Sequence, residues 1–338
     1  MMKVKIIAEA GVNHNGSIET AKKLIDAAAR AGADYVKFQT FNAEKLVDKF
    51  TRKAKYQEKN TGKGSQYEML KNLELTNQEY LELCRYCNLK NIKFLSTAFD
   101  VDSLTFLVND IGIDLIKIPS GEITNYFLLT KIALFNLPTV MSTGMSTLAE
   151  IERTLNFLIR NGLEKKNLIL LQCTTAYPTP MEEVNLRAML TLAKKFDVSV
   201  GYSDHTNGIE VSVASVAMGA CLVEKHFTLD NNMEGPDHKA SLNPSELVQL
   251  VSSIRNVELA LGSTEKKITP TEKENQLIAR KSLFYISNLK KGDELILDYF
   301  EAKRPGTGIN PLELESILGK TLLKDISKGD LVNNSDYA

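Results

Sequence analysis

The sequence predicts an α/β protein, a TIM (β/α)8 barrel followed by a small C-terminal domain, on three observations. Short runs rich in Val, Ile, Leu and Phe alternate with longer helix-like segments, which is the pattern of βα units around a parallel sheet. Eight such runs fall within about the first 260 residues, the number and length of one barrel. Beyond that point the composition changes, and a chain of 338 residues exceeds what one hydrophobic core usually spans. A doubly wound open sheet is the competing architecture, but no GxGxxG follows the first strand to support it.

Each strand candidate delivers polar groups to its C-terminal end, the rim where barrel enzymes do their chemistry. "VKIIAEA" ends in Glu9 before "NHNG", "YVKFQT" carries Lys37 and Gln39, and "IKFLST" ends in Ser96 and Thr97. "DLIKIPS" carries Lys117 and runs into Ser120 and Glu122, and "PTVMST" ends in Ser142 and Thr143. "LILLQCT" leads into "CTTAYP", "VSVGYS" into Ser203, Asp204 and His205, and "CLVEKHF" holds Glu224, Lys225 and His226. Residues 41–73, between the second strand and the next long helix, exceed an ordinary βα loop and read equally as a solvated excursion or a lid. The barrel is expected to span 1–262. The polar, Pro-containing stretch 263–280 reads as a linker. From 281 to 338, "ISNLKKGDEL" and "LKDISKGDLV" resemble one another, each with a Lys-Gly-Asp turn between apolar pieces, as in a small domain of short strands.

The totals exclude several classes of function. With 41 basic against 42 acidic residues there is no broad positive field for nucleic acid or anionic lipid. The N-terminal apolar run is too short for a signal peptide, and "VSVASVAMGACLV" is shorter than a bilayer span, so a soluble cytoplasmic protein is expected. Four cysteines do not make a disulfide framework. Cys84 and Cys87 form a CxxC inside a helix-like segment without a second pair, and read as packed helix cysteines.

Lys37 and Lys117 lie within apolar strands, where an ammonium is costly unless an anion or carboxylate pairs with it. Together with Ser and Thr hydroxyls they fit a cradle for phosphate and carboxylate, or one of them a Schiff base. Glu122 suits a general acid or base, or an acceptor for sugar hydroxyls. His205 and His226 end adjacent strands, so they either share one metal ion with open coordination positions or serve as two unrelated structural imidazoles. His14 and His238 are weaker candidates, and Glu9 and Asp237 could complete such a site through water. These residues together describe a metal-assisted barrel enzyme acting on a small anionic, carbonyl-containing substrate.

"IAEAGVNHNGS", "AGADYVKFQTF", "FLSTAFD", "KIPSGEITN", "MSTGM", "YPTP", "GYSDHT", "EKHFTLD", "GPDHKASL" and "KRPGTGI" run in order through almost the whole chain. In these motifs the sequence resembles the bacterial N-acylneuraminate (sialic acid) and legionaminic acid synthases. The resemblance implies a small domain of the antifreeze-like SAF type and a domain-swapped homodimer. It implies condensation of phosphoenolpyruvate with an N-acylated mannosamine-type sugar and water, giving a nine-carbon 2-keto acid and phosphate. It further implies a divalent ion, Mn or Mg, on His205 and His226, which polarises the sugar aldehyde. Glu9 matches the acid beside that ion. Lys37, Thr97, Lys117, Ser120, Ser142 and Ser203 match the residues around phosphoenolpyruvate, and Gln39, Glu122, Tyr177 and Asp237 those at the sugar end. Arg304 matches an arginine lent by the partner chain to the N-acyl group. Gln172 and Ala176 stand where many relatives have His and Glu, which leaves the sugar between N-acetylmannosamine and 2,4-diacetamido-2,4,6-trideoxymannose, with motifs closer to the legionaminic branch. The remaining alternatives are a 9-phosphate synthase, a metal-dependent aldolase or isomerase on the same barrel, and a non-catalytic sugar-binding protein.

Overall fold

A computed structural model describes residues 3–338, which fall into two compact units, Met1–Gly262 and Ser263–Ala338. The first unit holds eight parallel strands: β1 (Lys5–Gly11), β2 (Tyr35–Thr40), β3 (Lys93–Ala98), β4 (Ile116–Ile118), β5 (Thr139–Ser142), β6 (Leu168–Gln172), β7 (Ser199–Asp204) and β8 (Leu222–His226). They pair in the order β3-β2-β1-β8-β7-β6-β5-β4. β3 and β4 lie side by side and nearly close the ring, although the described residues form no ladder between them.

Strand alternation builds the interior in layers. The lowest is apolar, with Ile7, Tyr35, Leu95, Leu115, Val140, Leu171 and Leu222 forming one buried cluster. Gly201 occupies the β7 place in this layer because nothing larger fits. A Cβ there would lie 2.3 Å from the Leu222 carbonyl oxygen and 2.7 Å from Leu171 Cδ2. Two residues further along each strand the inward positions are Glu9, Lys37, Thr97, Lys117, Ser142, Cys173, Ser203 and Glu224, so a polar layer rests on the apolar plug. The alternate residues face outward into the main core between strands and helices, where Ile6, Ala8, Val36, Phe38, Phe94 and Val223 meet the helices. Those helices carry the expected termini. Ile18–Ala31 is capped by Ser17, with Gly32 in the left-handed region at its end, and Pro244–Leu261 begins on Asn243 with a capping box to Glu246.

The 41–73 excursion is not structureless. It forms short helices at Ala43–Leu46, Lys55–Thr61 and Gln66–Lys71, the last opened by a Ser65–Glu68 capping box. Cys84 and Cys87 are free thiols on helix Asn77–Leu89, Cys87 buried and Cys84 half-buried. Among the described residues no helix is long and apolar enough to cross a membrane.

In the second unit, helix Pro270–Ala279 lies within the stretch read as a linker, capped by Thr269 and Glu272. Strands β9 (Ser282–Tyr285) and β10 (Phe300–Lys303) pair antiparallel over a core that includes Leu283, Tyr285, Leu295, Phe300, Ile317 and Val332. The two similar sequence pieces make the same turn. Lys290 N–H donates to Asp293 at 2.8 Å and Ser327 N–H to Asp330 at 2.9 Å, while Gly292 and Gly329 adopt φ of 97° and 96°. The pieces bridge each other antiparallel at Leu289 and Ile326.

Candidate active site

The polar layer of the barrel is a nearly dry cluster of opposite charges. Lys37 Nζ lies 2.7 Å from Glu9 Oε2, 2.9 Å from Thr97 Oγ1 and 3.6 Å from Glu224 Oε2. Lys117 Nζ lies 3.4 Å from Glu224 Oε1, which also accepts the Ser203 hydroxyl at 3.1 Å. All four ionisable side chains are buried, at no more than 5% exposure. Glu224, which belongs to none of the motif roles above, is therefore the counter-ion shared by both lysines. Its strand position was the available signal, because period-2 alternation turns Glu224 and His226 to the same inward face.

The two carboxyls of this cluster are driven apart. Burial pushes Glu9 up to about 7; Lys37 opposes that rise and Glu224 adds to it. Burial acts upward on Glu224 too, but Lys117, Lys37 and the two histidines outweigh it and bring it down to about 2. Burial lowers Lys117, with Glu224 opposing. Lys37 is raised, because its carboxylate neighbours outweigh its desolvation. Two carboxyls with opposed environments provide one proton carrier, Glu9, and one fixed anion, Glu224.

Hydroxyls line the same layer. Ser142 Oγ is buried with no partner. Ser120 Oγ accepts the Gly144 N–H at 3.0 Å and lies 3.3 Å from Cys173 Sγ. An orphaned buried hydroxyl in the same layer as two ammonium groups is a donor suited to an oxygen-rich ligand.

One layer higher stand the histidines, with ring centroids 5.4 Å apart. His205 Nδ1–H donates to the Thr174 carbonyl at 2.7 Å, which leaves Nε2 with its lone pair. His226 has a buried Nδ1 without a partner. Burial lowers the proton affinity of both rings, most strongly His226, so both are neutral imidazoles at physiological pH. Gly11 keeps the space beside them open, since a Cβ there would sit 3.3 Å from both Glu9 Oε1 and Gln39 Nε2 and 3.7 Å from His226 Cε1. Among the described residues no group of three or more His, Cys, Asp or Glu is arranged around a common ion position. Two neutral imidazoles, one oriented by a carbonyl and one with an unpartnered nitrogen, nevertheless fit a borderline divalent ion that keeps open positions. His14 and His238 are instead tied into loop structure: His14 Nδ1 accepts the Gly16 N–H, and His238 bonds Thr228 and Asn15.

Behind the histidines, strand alternation sends Asp204 and Lys225 outward, where they form an ion pair at 3.0 Å with exposures of 0% and 1%. Asp204 also accepts the Thr206 N–H and hydroxyl and the Ser212 hydroxyl, and Lys225 donates to the Thr206 carbonyl. Every acceptor position of Asp204 is engaged, so the β7 and β8 ends that carry the two imidazoles are braced from outside the barrel.

Of the remaining residues singled out in the sequence, Gln39 lies near the end of β2 and the others come from connections or from the second unit. Gln39 Nε2 donates to Glu9 at 3.3 Å. The Tyr177 ring lies 4.3 Å from that of His205 and 5.7 Å from that of His226. Asp237 is buried, which alone raises its carboxyl to about 6. Glu122, raised by burial against the pull of Asn125, accepts the Asn125 amide at 2.6 Å on the turn after β4 and joins none of the contacts above. Arg304 belongs to the second unit, where its Nε–H donates to the Ala279 carbonyl at 3.0 Å.

The NeuB family profile matches residues 24–266. N,N'-diacetyllegionaminic acid synthase of Campylobacter jejuni is 49% identical over 333 residues, 98% of this chain and 99% of that protein. The protein of the same name from Legionella pneumophila is 47% identical over 96% of this chain and 92% of its own length. Among solved structures, the N-acetylneuraminic acid (sialic acid) synthetase of Leptospira borgpetersenii in complex with citrate superposes with a TM-score of 0.70 at 36% identity, covering 81% of this chain and 90% of that one.

Proposed function

The chain belongs to the NeuB family, and from that premise we propose that it condenses phosphoenolpyruvate with 2,4-diacetamido-2,4,6-trideoxymannose and water to give N,N'-diacetyllegionaminate and phosphate. It is a nonulosonate synthase, a transferase that forms a carbon–carbon bond. The observation that carries the reading is the buried layer that holds Lys37, Lys117 and an orphaned Ser142 hydroxyl, one strand layer below two neutral imidazoles.

Lys37, Lys117, Thr97, Ser120, Ser142 and Ser203 hold the phosphate and carboxylate of phosphoenolpyruvate, their ammonium and hydroxyl donors matching its oxygens. That fixes the enol so that C3 faces the acceptor and C2 stays open to water. The new bond joins C3 to the aldehyde carbon of the open-chain sugar. Water supplies the oxygen at C2, and phosphate leaves with its bridging oxygen. Glu9 is placed to take the proton that this water releases, its raised affinity being matched to neutral pH. A divalent ion, Mn or Mg, held by His205 and His226 would supply Lewis-acid polarisation of the aldehyde. Gln39, Tyr177, Asp237 and Glu122 serve the sugar end. The second unit is read as an antifreeze-like SAF domain that covers the barrel of a second copy in a swapped homodimer and brings Arg304 to its acyl group. Use of a central metabolite suits a cytoplasmic enzyme.

The test is phosphate release by metal-stripped protein given phosphoenolpyruvate, with Mn added or omitted, and each of the two candidate sugars. Metal-dependent release with the diacetamido sugar is expected. Release with N-acetylmannosamine alone would move the protein to the sialic acid branch, and release with neither would refute the reading.

A further inference from the structure

Helix Lys55–Thr61 of the 41–73 excursion buries none of its residues fully, yet it turns one ring inward. Tyr56 is half-buried, and its ring lies 5.1 Å from that of Tyr177 at an interplanar angle of 30°. Burial raises its phenol above the usual tyrosine range, and the Asp237 carboxylate pushes it in the same direction. The excursion is held in place at two points. Asn60 Nδ2 donates to the Pro236 carbonyl at 2.8 Å, next to Asp237, and Met69 and Leu73 pack with Val12 and Phe41 on the barrel rim. The excursion is thus tied both to the rim and to the loop that carries Asp237.

The rings form a series: His226 and His205, then Tyr177, then Tyr56, each in contact with the next. A sugar whose aldehyde reacts at the histidines meets Tyr177 and then Tyr56 when its far carbons extend toward the 41–73 excursion. Aromatic faces favour C–H and methyl groups, and a buried carboxyl opposes a second anion.

We propose that Tyr56 is a specificity-determining residue for the acceptor. With Tyr177 it forms an aromatic wall that receives the methyl and acylamino groups of an uncharged, acylated amino sugar and excludes a phosphorylated one. This rests on the synthase reading above.

The experiment compares wild type, Tyr56→Ala and Tyr56→Phe in phosphate release with phosphoenolpyruvate and, in turn, the diacetamido sugar, N-acetylmannosamine and N-acetylmannosamine 6-phosphate. In Tyr56→Ala the KM of the uncharged acceptor should rise about tenfold to a hundredfold, as expected for losing one aromatic contact face. The KM of phosphoenolpyruvate should stay within about twofold, because Tyr56 approaches none of the anion layer. Tyr56→Phe should behave like wild type, since the wall requires the ring and not the hydroxyl. An unchanged acceptor KM in Tyr56→Ala, an equal rise for phosphoenolpyruvate, or wild-type use of the 6-phosphate as good as that of the uncharged sugars would each overturn the assignment while leaving the synthase intact. No release by wild type with any acceptor would overturn the synthase reading and the assignment with it.

Discussion

Replacing Glu224 by Gln removes one charge from a buried layer of the barrel while nearly preserving shape. Lys37 keeps Glu9 at 2.7 Å, but Lys117 loses its carboxylate partner, and Glu9, Glu224, Lys37 and Lys117 pass from a balanced set to one with excess positive charge. Stranding a buried charge in this way costs about 3–5 kcal/mol. At about 2–4 °C per kcal/mol for a unit of this size, the variant should melt about 6–20 °C below wild type. Inorganic phosphate offers the missing negative charge, so it should bind the variant more tightly than wild type. A tenfold gain in affinity, about 1.4 kcal/mol, would enlarge the phosphate-induced rise in Tm by about 3–6 °C. The assay is thermal unfolding of both proteins with and without phosphate at matched ionic strength. A variant that melts like wild type would refute the shared counter-ion. A variant that falls in Tm but gains nothing from phosphate would show that Lys117 has released its proton instead, and the charge argument would fail.

Other outcomes follow from the same geometry. His205→Ala and His226→Ala should each abolish Mn binding by calorimetry and with it turnover, while circular dichroism stays that of wild type; retained Mn affinity in either would remove the paired-imidazole site. Arg304→Ala should raise the acceptor KM about tenfold, the loss of roughly one charged hydrogen bond, and leave phosphoenolpyruvate nearly untouched; equal losses would count against its proposed place at the acyl group. Asp34 lies away from the site, where burial pushes its carboxyl up but Lys3, the Ile6 N–H and Arg255 together bring it below the usual range. A depressed folded value means that its stabilisation is complete above the unfolded value and disappears as pH falls through the folded one. Asp34→Asn should therefore cost about 1–2 kcal/mol near neutrality, reduced by partial solvent exposure, and the gap to wild type should close below about pH 4. A gap independent of pH, or a changed kcat, would contradict that account.

The barrel was legible because each strand is an apolar run and many of the helices show their caps. The polar layer was legible in part, since lysines inside apolar strands announce a partner. Glu224 escaped a role because "VEKHF" offers three ionisable residues in a row, and only the inward phase of β8 separates Glu224 and His226 from Lys225. Asp204 likewise looked like a neighbour of His205 rather than a brace behind it. The helix at Pro270–Ala279 hid in a polar stretch, although Thr269 and Glu272 are a readable capping box. Tyr56 had no local signal at all, since its inward ring depends on Tyr177, more than a hundred residues downstream.

The anion layer is carried by strands, on Lys37, Thr97, Lys117, Ser203 and Glu224, whereas Tyr56, Tyr177 and Asp237 ride on connections between them. Strand positions are locked by ladders, on both sides everywhere except β3 and β4, so a change there disturbs its neighbours in the ring. Connections accept insertions and exchanges without that penalty. On the proposed assignment most ligands of the three-carbon donor lie on strands and most of those of the acceptor on connections, so the acceptor can be renegotiated largely loop by loop while the donor is kept. A lineage, or an engineer, can diversify the sugar without relearning the chemistry.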